Sequence, residues 1–590
     1  MKKLIYIFVA SLLFAVSSCD MDRLPIDAVS PEAFFNTEED LKLYTNSFYI
    51  DCLPIAGDIY TVSVDDMIQQ TLSEAIQGKR IVPQTDNYWH ATNKNGWRNI
   101  RRINFYLQHS PKVTDIEKRR PYDALARFFR AFEYYKKVQR FGDVPWYNQV
   151  IDNTDIDNLM KPRDSRTLIM DSIVADLDYA IAYLPDAVNV NKISKWTALA
   201  FKSRVCLYEG TWRKYHTEFN LPDADKFLDL CIKASEDLMA AKKYKLYKTG
   251  DPSQDYLNLF ASLTPRTDEM ILMKSYDAQL QIYHNVNYFT LTASYGKPGL
   301  EKEMVNHYLM RNGDRFTDKP DYNKIEFYDE TIDRDYRLSQ TIRTPGYTRI
   351  GSNVKQAPMF GASVTGYQIV KYVMDESFDV YSKNTNPMPI MRYAEVLLNY
   401  AEAKAERGTL TQDDLDNSVN LLRERAGMTD LIMTDANSSP CPFLATQYKQ
   451  VSGTNKGIIL EIRRERTVEM IMEGLRWEDI MRWKEGAKLP TQFKGMYFPG
   501  VGQYDLDGDG KIDVHIYDGT KPDPPVSGVQ YLKLNGDITL ENGTAGGCVT
   551  VNPQIDKKWD ENKDYLFPIP IEERLLNPNL TQNPNWDDGL

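Results

Sequence analysis

The 590-residue chain carries a formal net charge of -12 at pH 7, and 42% of its residues are hydrophobic. Binding to nucleic acid requires a basic face opposite the phosphates, so this acidic balance argues against a nucleic-acid partner. The length permits several domains, but the sequence contains no Pro/Gly/Ser-rich linker, which favours one body over residues 19–590.

The first 18 residues have the order of a secretory signal peptide. Two lysines precede an apolar run over residues 4–16, and two serines then lead into Cys19. The run is shorter than the ~20 residues that span a bilayer, so removal is favoured over retention. A cysteine at the cleavage point resembles the lipobox of bacterial lipoproteins, although a plain signal peptide with an incidental cysteine is the alternative. We expect residues 1–18 to be removed and Cys19 to carry the acyl chains that anchor the protein to a membrane.

Apolar residues recur at helical spacing in segments that occur in pairs. The predicted helices are 123–140 with 166–184, 194–215 with 223–243, and 391–407 with 411–426, and a fourth pair of 458–474 with 476–484 is a hypothesis. Helix-turn-helix units of about 34 residues are typical of a tetratricopeptide-type scaffold. The chain is therefore predicted to be mainly α, with helix pairs over about 120–245 and 390–485 and minor short β elements. Stretches rich in Tyr, Asn and Gly, at about 45–95, 250–389 and 488–563, are predicted to be functional loops or inserts.

A series of short motifs extends over nearly the whole chain. They are the lipobox at Cys19, Ser30–Phe35 (SPEAFF), Trp97–Asn104, Arg140–Pro145 (RFGDVP), Met391–Ala403 (MRYAEVLLNYAEA), Ile462–Arg466 (IRRER), Glu473–Trp477, Arg482–Lys484, Phe567–Pro570 (FPIP) and Asn577–Pro584. In sequence and in order these motifs resemble the SusD/RagB family of outer-membrane lipoproteins of nutrient-uptake systems.

The resemblance implies a fold in which four tetratricopeptide-like helix pairs support a loop-rich ligand-binding region. It also implies a lipid-anchored protein at the cell surface that acts as a lid on a SusC-like TonB-dependent transporter and delivers an oligosaccharide to it. A peptide ligand is the alternative within the same fold. We expect no enzymatic activity, and a glycoside hydrolase is the alternative of a different class.

Four glutamates provide the one arrangement that could suggest glycoside hydrolysis. Glu461, Glu465, Glu469 and Glu473 lie four residues apart, close to one face of a predicted helix. Hydrolysis would need two carboxyl groups separated by about 5 to 9.5 Å across a cleft. Neighbouring arginines at 463, 464, 466 and 476 favour ion pairs between packed helices instead.

The segment Asp505–Asp513 (DLDGDGKID) matches the first nine positions of a calcium-binding loop. The predicted ligands are Asp505, Asp507, Asp509 and Asp513. An EF-hand has a bidentate Glu at position twelve, where this chain has Ile516. The sequence therefore predicts an isolated Ca²⁺ loop in a structural role, against the alternative of a solvated Asp/Gly-rich turn.

Aromatic side chains are the best candidates for contact with a sugar, since a flat ring can support the apolar face of a sugar ring. The chain has 37 tyrosines, and aromatic residues make up 12% of it. Loop position suggests two sets of ligand-binding candidates. The first set is Asp66, Arg80, Tyr88 and Trp89, and the second is Tyr283, Tyr288, Phe289 and Tyr295.

Overall fold

The computed structural model describes residues 34–587 and 589. Cys19 and the signal peptide over residues 1–18 lie outside the described residues, so the predicted lipid anchor stays a prediction. Within residues 34–587 and 589, no helix is both long enough and apolar enough to cross a bilayer.

Helices make up most of the regular structure, which confirms the predicted mainly α class. In the first half of the chain they are α1 Glu38–Asp51, α2 Ala56–Tyr60, α3 Glu74–Gln77, α4 Arg98–His109, α5 Ile116–Phe141, α6 Ile156–Leu159, α7 Arg166–Tyr183, α8 Lys195–Tyr215, α9 Ala224–Ala240, α10 Asp255–Phe260 and α11 Val286–Leu291. In the second half they are α12 Lys302–His307, α13 Phe327–Thr331, α14 Tyr336–Ser339, α15 Tyr393–Arg407, α16 Gln412–Asp416, α17 Val419–Arg425, α18 Met433–Ser438, α19 Pro442–Gln447, α20 Lys456–Glu469, α21 Arg476–Arg482 and α22 Ile571–Leu576.

The strands are short. They are β1 Met67–Ile68, β2 Met270–Lys274, β3 Gly299–Leu300, β4 Met388–Arg392, β5 Lys494–Phe498, β6 Gly502–Tyr504, β7 Val514–Tyr517, β8 Gln530–Lys533 and β9 Gly547–Thr550. Strands β1 and β3, β2 and β4, and β5 and β9 form antiparallel pairs. In the three-stranded sheet, β7 lies between an antiparallel β6 and a parallel β8.

The long helices form a continuous layer: α5 packs against α7, α8 against both α7 and α9, and α15 against both α9 and α20. Helix α8 is buried on nearly all sides, as expected of a helix in the middle of such a layer. Gly210 permits the close approach of α8 and α9, because a Cβ atom there would lie 2.8 Å from the side chain of Leu228.

Helix α5 begins at Ile116, seven residues before the predicted start. The side chain of Asp115 accepts hydrogen bonds from the backbone N–H groups of Glu117 and Lys118, which satisfies N–H groups that have no partner within the helix. At the other end of a predicted helix, Gly408 adopts a left-handed φ of 75° and caps α15, as the sequence predicted.

The predicted helix over 411–426 is wrong, because the chain forms α16 and α17 with a break between them. In the break, the side chain of Asn417 donates to the carbonyl of Asp413, and the hydroxyl of Ser418 donates to the carbonyl of Asp414. Local side-chain hydrogen bonds of this kind compete with the helical backbone pattern. The predicted helix over 458–474 also ends early, at Glu469, since Met472 and Gly474 both have positive φ.

The helical layer and the loop-rich regions share one hydrophobic core. The main hydrophobic core cluster runs from Phe35 to Leu580 and takes residues from both parts. Strand β4 leads directly into α15, and its partner β2 comes from the loop-rich segment before it. The predicted loop-rich ranges therefore consist of short helices and strands that share the core of the helix layer.

Candidate functional site

A group of partly exposed aromatic rings lies around α11. In this short helix Val286, Phe289 and Thr290 face the core, and Tyr288 on another side is half-buried. Apolar residues three and four positions apart form one face of a helix, so the same spacing leaves Tyr288 directed away from the core. The helix therefore presents one tyrosine ring toward the surface.

A second segment, residues 374–384, lies beside α11. The side chain of Asn287 donates to the carbonyl of Met374 and, at 2.9 Å, to the carboxylate of Asp379. Arg349 donates to the same Asp379 oxygen at 2.8 Å. These bonds hold Tyr381 beside Tyr288, with a ring-centroid distance of 5.5 Å.

We call Tyr288, Tyr295 and Tyr381 the tyrosine cluster. The rings of Tyr288 and Tyr295 are 5.9 Å apart, and the exposed fractions of Tyr295 and Tyr381 are 39% and 60%. Beneath the cluster lies the buried Tyr60, 5.3 Å from the ring of Phe289. Burial raises the pKa of Tyr60, and the nearby hydroxyls of Tyr295 and Tyr381 act in the same direction. The cluster therefore combines exposed ring faces with hydroxyl groups above a buried aromatic layer.

The structure places the predicted second set unevenly. Tyr288 and Tyr295 belong to the tyrosine cluster, whereas Phe289 is 2% exposed and supports them from the core. Tyr283 is half-buried, and its hydroxyl donates to the carbonyl of Ala278 at 3.0 Å. The prediction of Phe289 as a ligand-binding residue is wrong, because its side chain occupies the core-facing side of α11.

Trp89, proposed from the sequence as a ring platform, is 2% exposed. Its ring packs edge-on against Trp97 at 5.6 Å and against Phe141 at 4.9 Å. Tyr88 is 42% exposed, but the guanidinium of Arg140 lies 4.2 Å from its ring centre. Trp89 is therefore not a surface platform, and Tyr88 presents a ring that a cation already covers on one face.

The two charged members of the first set are buried. The carboxylate of Asp66 is next to Asp65, and burial raises the pKa of Asp66. Arg80 lies 4.4 Å from the ring centre of Phe567 and forms a 3.2 Å ion pair with Asp564. These contacts attach Arg80 to the C-terminal segment. Asp66 and Arg80 are therefore both buried and do not lie on the surface that a ligand could reach.

Sequence reasoning missed Tyr381. Its sequence signal is an aliphatic residue followed by an aromatic one, Val380 and Tyr381, within a polar stretch of the predicted loop-rich range. Single exposed apolar residues are common, so this signal alone does not separate a binding residue from ordinary surface.

The four spaced glutamates are buried in ion pairs, as the sequence favoured. Most of their partners differ from the neighbouring arginines that the sequence suggested, and only Glu461 pairs locally, with Arg464 at 2.8 Å. The other three glutamates pair with residues from elsewhere in the chain. Glu465 contacts Arg337 and Arg423, and Glu473 contacts Arg392 and Lys371. Glu469 contacts three arginines, which are Arg337, Arg392 and Arg425. The arginines hold the pKa of Glu469 below its usual range against the effect of burial. Carboxylates held this way have no open cleft for a sugar, which removes the basis for a hydrolytic pair.

The acidic loop connects β6 to β7. Carboxylate oxygens of Asp505, Asp507 and Asp513 lie within 4.8 Å of one another. The fourth predicted ligand is placed apart from these three, because the carboxylate of Asp509 pairs with the ammonium of Lys511 at 2.7 Å. The residue at the twelfth loop position, Ile516, is buried in β7 and supplies no oxygen from its side chain.

Comparison with known proteins identifies the class. The sequence model of the SusD family matches residues 269–586, and a model described as "starch-binding associating with outer membrane" matches residues 39–207. The chain belongs to the SusD family, which confirms the resemblance found in its motifs.

Individual relatives match over almost their full length. The chain is 25% identical to SusD-like protein P2 of Formosa agariphila over 99% of each chain, and 24% identical to a SusD-like protein of Bacteroides ovatus over 99% of this chain and 98% of that one. Among solved structures, a SusD-like protein of Bacteroides fragilis has a TM-score of 0.68 at 19% identity, covering 95% of this chain and 99% of that one. A SusD-like carbohydrate binding protein of the same species has a TM-score of 0.65 at 23% identity, covering 93% and 100%.

Proposed function

We propose that the protein binds an oligosaccharide at the tyrosine cluster and passes it to a SusC-like TonB-dependent transporter in the outer membrane. The single observation that carries this proposal is the group of three exposed or half-buried tyrosine rings on the loop-rich part of the molecule. Flat rings support the apolar faces of sugars, and tyrosine hydroxyls offer hydrogen bonds to sugar hydroxyls. The matching family model is described as starch-binding, and one similar solved structure is a SusD-like carbohydrate binding protein, which supports the same ligand class.

The chemistry around the cluster suits a neutral ligand. Amide and hydroxyl groups lie beside the cluster: the hydroxyl of Ser294 lies 3.1 Å from the hydroxyl of Tyr288, and the Asn285 side chain accepts a hydrogen bond from the backbone N–H of Ser382. Asp379 is paired with Arg349, so its charge is compensated. A peptide ligand would favour a charged cleft that reads the peptide backbone, which makes it the less favoured alternative.

An acylated Cys19 would give this binding site its location. A lipid anchor at the outer membrane restricts the protein to the neighbourhood of its transporter and so raises the effective concentration of captured ligand there. As a lid, the protein would also slow the escape of ligand between capture and transport. The description "associating with outer membrane" for the matching family model supports this location.

The acidic loop is proposed to bind Ca²⁺ in a structural role. Support comes from the mutual approach of the Asp505, Asp507 and Asp513 carboxylates and from the left-handed φ of 84° at Gly510, which lets the chain turn around a central ion. Water or a backbone oxygen would complete the coordination where position twelve provides no carboxylate.

The experiment for the main proposal is affinity electrophoresis through gels that contain soluble starch, laminarin, xyloglucan, galactan or glucomannan. We expect at least one of these polysaccharides to retard the wild-type protein and to retard Tyr381→Ala less. Retardation by none of them, together with binding to a peptide library, would favour the peptide alternative. Release of reducing sugar by the purified protein would contradict the assignment as a binding protein.

A further inference from the structure

A polar groove is lined in part by Lys297, which lies two residues after Tyr295. Its volume is about 460 Å³, and its lining includes the side chains of Gln70, Lys297, Asp537, Thr539 and Gln554. One cation, one anion and several neutral hydrogen-bonding groups give the groove a mixed polar character. Such a lining matches the many hydroxyl groups of an uncharged carbohydrate better than it matches an apolar or strongly charged ligand.

The groove and the tyrosine cluster share one wall. Tyr295 belongs to the cluster, and Lys297, two residues further along the chain, lines the groove. Consecutive Cα atoms are about 3.8 Å apart, so the Cα atoms of Tyr295 and Lys297 are separated by at most about 7.6 Å. A single chain of linked sugars could therefore contact both.

The shared wall is fixed by the fold. The backbone N–H of Gln70 donates to the carbonyl of Gly296 at 2.8 Å, and the N–H of Val364 donates to the carbonyl of Lys297 at 3.0 Å. Gly296 has a φ of 85°, and a Cβ atom there would lie 2.8 Å from the side-chain oxygen of Gln69 and 3.1 Å from the ring of Phe289. Glycine allows the turn to pass close to both neighbours.

The far wall of the groove comes from the C-terminal β elements. The side chain of Asn552 donates to the carbonyl of Gln70 at 3.1 Å, which attaches this wall to the segment after β1. Gln554 follows in the same loop and is exposed. The two walls are thus held together across the groove by a side-chain hydrogen bond.

We propose that the groove is a second subsite for the same ligand, which is an extended oligosaccharide that crosses the Gly296 turn from the tyrosine cluster to Gln70, Lys297 and Gln554. This inference rests on the proposed function, because it presupposes a carbohydrate at the tyrosine cluster. It specifies that the ligand is a chain of linked sugars long enough to occupy both subsites. A monosaccharide or disaccharide would occupy the tyrosine cluster alone.

The test compares two fragment sizes of whichever of the five polysaccharides above retards the wild-type protein. Fragments of about two to three sugars and of about six to eight sugars are titrated by calorimetry into wild type, Tyr381→Ala, and the combined variant Gln70→Ala, Lys297→Ala, Gln554→Ala. Lys118→Ala, at an exposed lysine of α5, serves as the matched control. Thermal unfolding followed by circular dichroism checks that each variant folds, and the three single substitutions replace the combined variant if it does not.

We expect the combined variant to bind the long fragments about tenfold more weakly than wild type, since each lost hydrogen bond contributes modestly. Its affinity for the short fragments should change less than twofold, whereas Tyr381→Ala should weaken both. Equal affinity of wild type and combined variant for the long fragments would overturn the second subsite while leaving the proposed function intact. Failure of the wild-type protein to bind any of the five polysaccharides would instead overturn the proposed function.

Discussion

The ring of Tyr288 meets the ring of Tyr381 edge to face, with planes 82° apart, although 93 positions separate the two residues in sequence. Edge-to-face aromatic contacts of this kind stabilise a pair by about 0.5–1.5 kcal/mol beyond the effect of buried area. The contact leaves most of Tyr381 exposed while its orientation is defined by Tyr288. A ring that is both oriented and exposed can meet a sugar without being ordered at the moment of binding.

Replacement of a cluster ring should weaken carbohydrate binding. We expect Tyr381→Ala and Tyr295→Ala each to raise the dissociation constant by about tenfold, because each loses roughly 1–2 kcal/mol of stacking and apolar contact. Calorimetry with the polysaccharide that retards wild type provides the measurement. Tyr183→Ala is the matched control, since Tyr183 is 37% exposed on α7, in the helical layer. Equal loss of affinity in the control would contradict a specific role for the cluster.

The buried ion pairs around Glu469 should be essential for stability. Glu469→Gln removes a charge that lies 2.7 Å from Arg392 and also pairs with Arg425, both of which are fully buried. Neutralising one member of a buried charge network leaves the remaining buried arginines short of one negative charge, so we expect a loss of about 3–5 kcal/mol in the free energy of unfolding. Urea denaturation measures this loss, and Glu236→Gln at an exposed site on α9 is the control. A change below about 1 kcal/mol would show that the network relaxes around the neutral side chain.

Glu478 should make stability depend on pH. Glu478 lines a cavity of about 170 Å³ together with Tyr135 and Tyr208. Burial raises the pKa of Glu478 to about 8, and the nearby carboxylate of Asp479 acts in the same direction. The unfolded chain has a Glu pKa near 4.3, so the folded state holds this proton more tightly. The resulting stabilisation is complete below about pH 4.3 and is lost as the pH rises through about 8.

The variant Glu478→Gln cannot ionise and should escape that loss. We expect the melting temperature of Glu478→Gln minus that of wild type to increase steadily between about pH 4.5 and 8. Differential scanning calorimetry at several pH values gives the comparison, with Glu236→Gln expected to follow wild type throughout. A difference that stays constant with pH would mean that Glu478 is charged in the folded protein.

Calcium should stabilise the protein through the acidic loop. We expect 1 mM Ca²⁺ to raise the melting temperature over that measured in a chelator, since a ligand at about a hundred times its dissociation constant contributes about 2.7 kcal/mol. Asp507→Asn should abolish the increase. Asp509→Asn should retain it, because the Asp509 carboxylate lies apart from the other three and pairs with Lys511. If Ca²⁺ did not change the melting temperature of the wild-type protein, the loop would be a solvated turn that does not bind Ca²⁺.

Cys19→Ala should release the protein from the membrane. Acylation at this position would provide the anchor, so the variant should appear in the soluble fraction and should no longer incorporate radiolabelled palmitate. Fractionation of cells that express each form gives the measurement. Cys52→Ala, at a buried cysteine of the folded part, is the control and should remain in the membrane fraction. Membrane association of Cys19→Ala without label would point to attachment by other means.

The mainly helical scaffold and the family could both be predicted from the sequence alone. Helical periodicity depends on residues three and four positions apart, so helices such as α8 and α9 could be predicted from their own segments. The motifs that resemble the SusD/RagB family could be found without any structure. The four glutamates could also be assigned to ion pairs, because their charges and spacing are visible in the chain.

Which aromatic rings face solvent, and which charged side chains pair, depends on how the whole chain folds. The burial of Trp89 and Phe289 depends on packing against residues far away in sequence, such as Phe141 and Tyr60. Tyr381 reaches Tyr288 because Asn287 and Arg349 both hold Asp379, a long-range contact that local pattern does not encode. Exposure and pairing result from contacts between segments far apart in sequence, whereas helix formation results mainly from contacts within one segment.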